Sequence, residues 1–289
     1  MDIFPEIKKK IRYPSTLEVS PYFRDHHFEG RVILPAVETL IALANVVKIH
    51  FPQTGMNCLV NASFPRFLLI GPETQRLTVF VDIENVNRDR PDRVTAVLLT
   101  SIKSKASAMS RTVEHARVQF ATDDSTPFAA APFRVAERLE GRCIRVPAAT
   151  LYRELVPLGR AYQNILGDLT VSPEGALGYL SGGNCGADDH LLGSPFPLDA
   201  AMHAACVWGQ RFSGIVALPT GFEKRLIYQK TKEGGNYLGR IVPVRVDQEL
   251  LVFDAWIYDS GGVIYEAIRG IEMRDVTHGR MRPPEWIKT

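Results

Sequence analysis

Two places in the 289-residue sequence carry side chains whose types and spacing suit proton chemistry. In RDHHFEGRVILPAVETL, residues 24–40, His26 and His27 stand ahead of Gly30 and Pro35 in the spacing His-x-x-x-Gly-x-x-x-x-Pro. Gly30 admits a backbone turn that a side chain would block, and Pro35 suits the start of a helix, so His26 is expected on a loop leading into a helix N-terminus. In FPLDAAMHAACVWGQRF, residues 196–212, Asp199 and His203 are four apart and so share one helix face, with Asp199 in the first turn. Imidazole titrates near neutrality and burial can tune a carboxyl toward it, so acid–base chemistry is what these two places offer.

Periodicity names the elements that must position these groups. Val37, Leu40, Ile41, Ala44 and Val47 have helical spacing and predict an amphipathic helix over 35–50, with Pro35 in its first turn and Glu38, Asn45 and Lys48 off the apolar stripe. The period then changes to two, with Leu77, Val79, Val81 and Ile83 alternating with Thr78, Phe80, Asp82 and Glu84, and strands at 94–102 and 113–120 follow across the turn-rich NRDRPD and KSKASAMSR. Short connections favour antiparallel pairing. Residues 121–141 lose the pattern in the manner of a linker. Beyond them a helix over 196–212 precedes strands near 214–229, 237–247, 249–258 and 263–274. The expectation is an α+β chain of two helix-on-antiparallel-sheet halves, 1–122 and 142–289, joined by a linker at 123–141. One continuous sheet, two central helices and clefts where the halves meet should result.

Composition narrows the function classes. Hydrophobic residues at 45% and charged residues at 23% are ordinary globular values, and a net charge of +2 gives no reason to expect nucleic acid. The basic run Lys8-Lys9-Lys10-Ile11-Arg12 reads as a solvated tail. MDIFPEIKKKIRYP places apolar residues before basic ones, the wrong order for a secretory signal, and no stretch reaches 18 apolar residues, so a cytoplasmic location without membrane contact is expected. Cys58, Cys143, Cys185 and Cys206 are scattered without zinc-ligand spacing and read as reduced thiols. Nucleotide and serine-hydrolase motifs are lacking too. Asp188, Asp189 and His190 could gather a metal with Asp199 and His203 only if two loops converged. His27 reads as structural, and Met202, Cys206 and Trp208 read first as core.

In order along the chain, Asp25-His26 with Gly30 and Pro35, the segment Gly159-Arg160-Ala161-Tyr162-Gln163, Leu198-Asp199-Ala200-Ala201-x-His203 and Leu218-Pro219 resemble the dehydratase domains of polyketide synthases, whose fold is a double hotdog. The pieces stand in the family's order and span nearly the whole chain. The departures are Pro35-Ala36 where the family has Pro-Gly, and Leu158-Gly159-Arg160 where it has Tyr-Gly-Pro, so that loop is expected to lack a tyrosine hydroxyl and to gain Arg160. The resemblance implies His26 as the catalytic base, Asp199 as the acid and His203 as the residue positioning Asp199. It also implies substrate contacts at Gly30, Pro35, Ala36, Val37, Gly159 and Tyr162, with the amides of Ala36 and Val37 polarising a thioester carbonyl.

The implied reaction is removal of water from a 3-hydroxyacyl thioester, without organic or metal cofactor, by an enzyme acting in trans on an acyl carrier protein. Arg160, Lys224, Arg225 or the terminal basic run would meet that acidic partner. A homodimer is left open, since one polypeptide supplies both halves of the site. For Asp199 to be protonated near pH 7 its pKa must rise by about 3 units, a lift that apolar burial can provide and a helix N-terminus opposes. His203 is therefore expected to be neutral and hydrogen-bonded to Asp199, with Leu198, Ala200, Ala201 and Met202 lining an acyl tunnel. Isomerisation or cyclisation by the same pair, and a non-catalytic acyl-binding or scaffold role, are the alternatives.

Overall fold

The computed structural model describes residues 10–84, 93–103, 110–121, 131–186 and 190–289. The expected turns NRDRPD and KSKASAMSR, the first part of the linker, Lys8, Lys9, Asp188 and Asp189 lie wholly or largely outside those residues.

The strands are β1 (Ile11–Glu18), β2 (His27–Phe28), β3 (Arg31–Val32), β4 (Cys58–Ser63), β5 (Arg76–Glu84), β6 (Arg93–Lys103), β7 (Ser110–Ala121), β8 (Ile144–Pro147), β9 (Ile165–Ser172), β10 (Gly175–Ser181), β11 (Leu218–Ile227), β12 (Asn236–Val246), β13 (Leu250–Tyr258) and β14 (Ile264–Arg274). Twelve of them form one sheet in the order β1-β5-β6-β7-β4-β11-β14-β13-β12-β10-β9-β8, and the pairings are antiparallel throughout. The halves join where β4 pairs β11, with Leu59 opposite Arg225 and Val60 opposite Lys224. β2 and β3 make a separate hairpin.

Each half wraps its sheet over one long helix. The front helix spans Ala36–His50 and the rear helix Phe196–Phe212, as the apolar spacing predicted, except that Pro35 is the capping residue before the front helix and not its first member. The front helix buries Leu40, Leu43, Ala44 and Val47 completely against the sheet. Truncating a buried leucine of this kind to alanine costs about 2–5 kcal/mol. The rear helix is buried on every side from Phe196 to Gln210, which a sequence rich in alanine and lacking charge after Asp199 and His203 allows.

Each helix is also preceded by strands of its own half, β1 in front and β8 to β10 behind, where a helix followed by strands was expected. β1 sits at the sheet edge with Pro14 in its middle, and proline weakens a strand signal yet is tolerated at an edge. β4 is short, and Asn61 at φ 53 interrupts its pairing.

Candidate active site

His26 is held by bonds of its own half. The preceding 3-10 turn, Pro21–Asp25, ends by accepting the His26 N–H on the Phe23 carbonyl at 3.1 Å, and the His26 carbonyl accepts the Ile33 N–H at 3.0 Å. Between them the hairpin β2–β3 turns through Glu29 at φ 49 and Gly30 at φ 72, the two positive angles of a tight two-residue turn. The fold therefore brings His26 and Ile33 together, and the ring Nδ1 lies 3.2 Å from the Ile33 carbonyl. A carbonyl only accepts, so Nδ1 carries the proton and Nε2 of the neutral ring keeps its lone pair. Burial lowers the His26 pKa below its usual value, an effect the Asp199 charge partly offsets.

Asp199 and His203 come from the other half, one turn apart on the rear helix and 5% and 7% exposed. Nε2 of His203 stands 3.0 Å from Oδ2 of Asp199. The ring N–H is not lined up on that oxygen, which is buried and has no aligned donor among the described residues. The expected pairing of His203 with Asp199 is thus present as a close contact without an aligned N–H. Burial pushes the Asp199 carboxyl up, but His203 and then His26 outweigh burial and hold it below the usual carboxylate range. The expected net rise is corrected: the apolar surroundings act as predicted, and two facing imidazoles overcome them.

His26, Asp199 and His203 line one cavity of about 110 Å³. Leu34, Phe64, Leu68, Val156, Leu158 and Met202 supply much of its apolar wall. Of the six residues expected to touch substrate, Ala36 alone lines it. Gly30 is in the hairpin turn, Pro35 precedes the helix, and Val37 points into the core. Gly159 packs on Asp25, donating its N–H to the Asp25 carbonyl at 2.7 Å. Tyr162 is fully buried behind the histidine, its ring 5.0 Å from the His26 ring in an edge arrangement and its hydroxyl without a partner among the described residues. A phenol therefore does stand beside the site, four residues past the point where one was expected to be missing. Leu198, Ala200 and Ala201 are core and do not line the cavity, whereas Cys206 and His27 do.

Three groups escaped the sequence reading. Tyr152, in a π-turn at Leu151–Leu155, accepts the Ile165 N–H at 2.8 Å and places its hydroxyl 3.4 Å from Nδ1 of His203. Glu38, expected off the apolar stripe, is 5% exposed, accepts the Tyr22 hydroxyl at 3.0 Å, and is pushed by burial to a pKa of about 8. His115 lines the cavity with its Nδ1 3.2 Å from the Arg66 carbonyl. None belongs to a local motif, because each meets the site through residues far away in sequence. Arg225 is no surface cation: it is 2% exposed and pairs with the buried Glu266 at 2.7 Å, and Lys224 beside it is buried too. Arg160 is exposed. No group of three metal-ligating side chains occurs among the described residues.

The fold is shared with known proteins. The family profile described as "Polyketide synthase dehydratase N-terminal domain" matches residues 131–283, a little over half the chain. No curated protein sequence matches it significantly. Among solved structures, the dehydratase domain from the CurJ module of curacin polyketide synthase superposes with a TM-score of 0.71 at 17% identity, covering 94% of this chain and 93% of that one. An inactive mutant of the CurK dehydratase, with an aspartate replaced by asparagine, gives 0.72 at 20% identity over 93% and 94%. A monomeric dehydratase domain from a trans AT polyketide synthase split module gives 0.68 at 15% identity over 93% and 100%. The fold is the double hotdog that the residue pattern suggested, and with the profile match it means that this chain belongs to the polyketide synthase dehydratase family.

Proposed function

We propose that the chain removes water from a 3-hydroxyacyl thioester, with His26 as base, Asp199 as acid and His203 as the group that positions Asp199. One observation carries the reading: an imidazole from one half and a carboxyl from the other face a single, largely apolar cavity, and each keeps free the atom that the reaction needs. Nε2 of His26 takes the proton from the carbon between the carbonyl and the hydroxyl-bearing carbon. The electrons of that C–H bond form the C=C bond, the C–O bond breaks, and the Asp199 proton leaves with the hydroxyl as water. The front helix has no side-chain cap and Ala36 borders the cavity, so the first amides of that helix suit the developing charge on the thioester oxygen.

The proton on Asp199 is explained by substrate binding. In the open cavity water solvates the Asp199 carboxylate beside the neutral His26 ring. An acyl chain that expels this water penalises the charged distribution and favours the neutral one, His26 free and Asp199 protonated. Tyr152 supports a neutral His203: its hydroxyl already accepts the Ile165 N–H, so its own proton is available to Nδ1, which leaves Nε2 as the protonated nitrogen facing Asp199.

An acyl carrier protein is the delivery partner in this reading, with exposed Arg160 among its contacts. The test is mass spectrometry of a panel of 3-hydroxyacyl carrier conjugates. Wild type should produce species lighter by one water, and His26→Ala and Asp199→Asn should each slow this by about 10²–10⁴-fold. Products of unchanged mass would point to isomerisation or cyclisation, and equal rates in wild type and His26→Ala would end the proposal.

A further inference from the structure

We infer that Asp25 is a positioning residue for His26, clasping the base to the half of the molecule that carries the acid. The inference rests on the reading of His26 and Asp199 given above. Acid and base come from sequence-distant halves, so their separation depends on what registers one half on the other close to the reacting atoms. Asp25 is the residue immediately before His26 and makes two bonds across the divide. Its carbonyl accepts the Gly159 N–H at 2.7 Å, and its carboxylate Oδ2 accepts the Ala161 N–H at 2.8 Å, across 136 residues of sequence. Gly159 caps the short turn Arg160–Tyr162 and Ala161 lies within it, and the turn ends in the tyrosine whose ring packs edge-on against the His26 ring at 5.0 Å. One residue thus ties the chain just before the base to the turn that carries the residue walling the base.

The approach is close enough to dictate the partner. A Cβ at Gly159 would collide with the Asp25 side chain, so a glycine is needed there although its φ of −68 is open to any residue. The bonds of His26 to Phe23 and Ile33 stay within its own half. They set its tautomer, and the clasp sets where the ring stands relative to the rear half. An error of an ångström in such a placement can cost about 10²-fold in rate.

The experiment compares wild type, Asp25→Ala, Asp25→Asn and Gly159→Ala by steady-state kinetics on a 3-hydroxyacyl thioester, by thermal melting, and by NMR titration of the His26 ring. Asp25→Ala should lower kcat by about 10- to 100-fold with KM changed less than about twofold, shift the His26 titration and weaken the contact of its ring with Tyr162. Asn keeps an acceptor for the Ala161 N–H, so Asp25→Asn should recover most of the rate and restore the titration. Gly159→Ala should reproduce the Asp25→Ala pattern. In a His26→Ala background Asp25→Ala should have no further effect on rate. Asp25→Ala with kcat within twofold of wild type and an unmoved His26 titration would overturn the inference, as would a rate loss that tracks lost fold and is not rescued by asparagine. Absence of dehydration in wild type would instead sink the proposed function, and the NMR arm would still decide the clasp.

Discussion

The Tyr152 hydroxyl lies 3.4 Å from Nδ1 of His203 and simultaneously accepts the Ile165 N–H at 2.8 Å, so one phenol ties the start of β9 to the rear helix at the residue that faces Asp199. The three residues are far apart in sequence, and a single hydroxyl orders all of them.

Tyr152→Phe removes that hydroxyl and leaves the buried Ile165 N–H without its acceptor. A lost partner of this kind costs about 1–3 kcal/mol. Chemical denaturation should report a stability loss in that range. Because His203 also loses the group that orients it, kcat should fall while KM stays nearly constant.

The buried His26 imidazole is harder to protonate in the folded chain than in the unfolded one. Activity needs the neutral ring together with a protonated Asp199, so kcat/KM should fall on the acid side as pH drops through a value below the model-peptide value of about 6.5, and fall again on the alkaline side as the Asp199 proton becomes unavailable. Between the folded value and about 6.5 the unfolded chain binds more protons, so stability should also decline as pH falls through that window. A His26→Gln variant should lose this part of the decline in melting temperature, measured from pH 7 to pH 5.

Glu38 has the opposite sign. Its folded pKa of about 8 lies above the ordinary glutamate value, so between the two the folded state holds the proton more tightly, and this group's contribution to stability shrinks as pH rises from about 4.5 to about 8. Glu38→Gln, which mimics the neutral acid, should flatten the fall in melting temperature over that range. An unchanged slope would mean that Glu38 ionises freely despite its burial.

Arg225 and Glu266 form a buried ion pair at the seam of the halves. Removing one charge strands the other, which costs about 3–5 kcal/mol. Arg225→Ala should therefore show a large loss of stability. Arg160→Glu, at an exposed position, should leave the melting temperature nearly unchanged and raise KM for a carrier-bound substrate; an unaltered KM would remove Arg160 from the docking surface.

Local patterns were legible along the chain wherever one period ran long enough. The front helix, the rear helix and strands β5 and β13 show it best, with Leu77, Val79, Val81 and Ile83 and then Leu251, Phe253, Ala255 and Ile257 at alternate positions turned to the core. β1 and β4 were not legible, since Pro14 and Asn61 break their pattern and only pairing with neighbours makes them strands. Within the candidate site, His26, Asp199 and His203 could be singled out by spacing, His26 from Gly30 and Pro35 and the other two from each other on one helix face.

What the sequence determined by itself was therefore each half: its helix, most of its strands, and the titratable groups it offers, His26 in front and Asp199 with His203 behind. The tertiary structure decided what surrounds those groups. Tyr152 beside His203, Glu38 buried against Tyr22, Asp25 against Gly159, and His26 facing Asp199 are all contacts that local spacing does not report. A periodic pattern reports which face of an element avoids water, but a pKa and a hydrogen bond depend on the particular atoms that another element brings to that face, and those are fixed only when the halves close on one another.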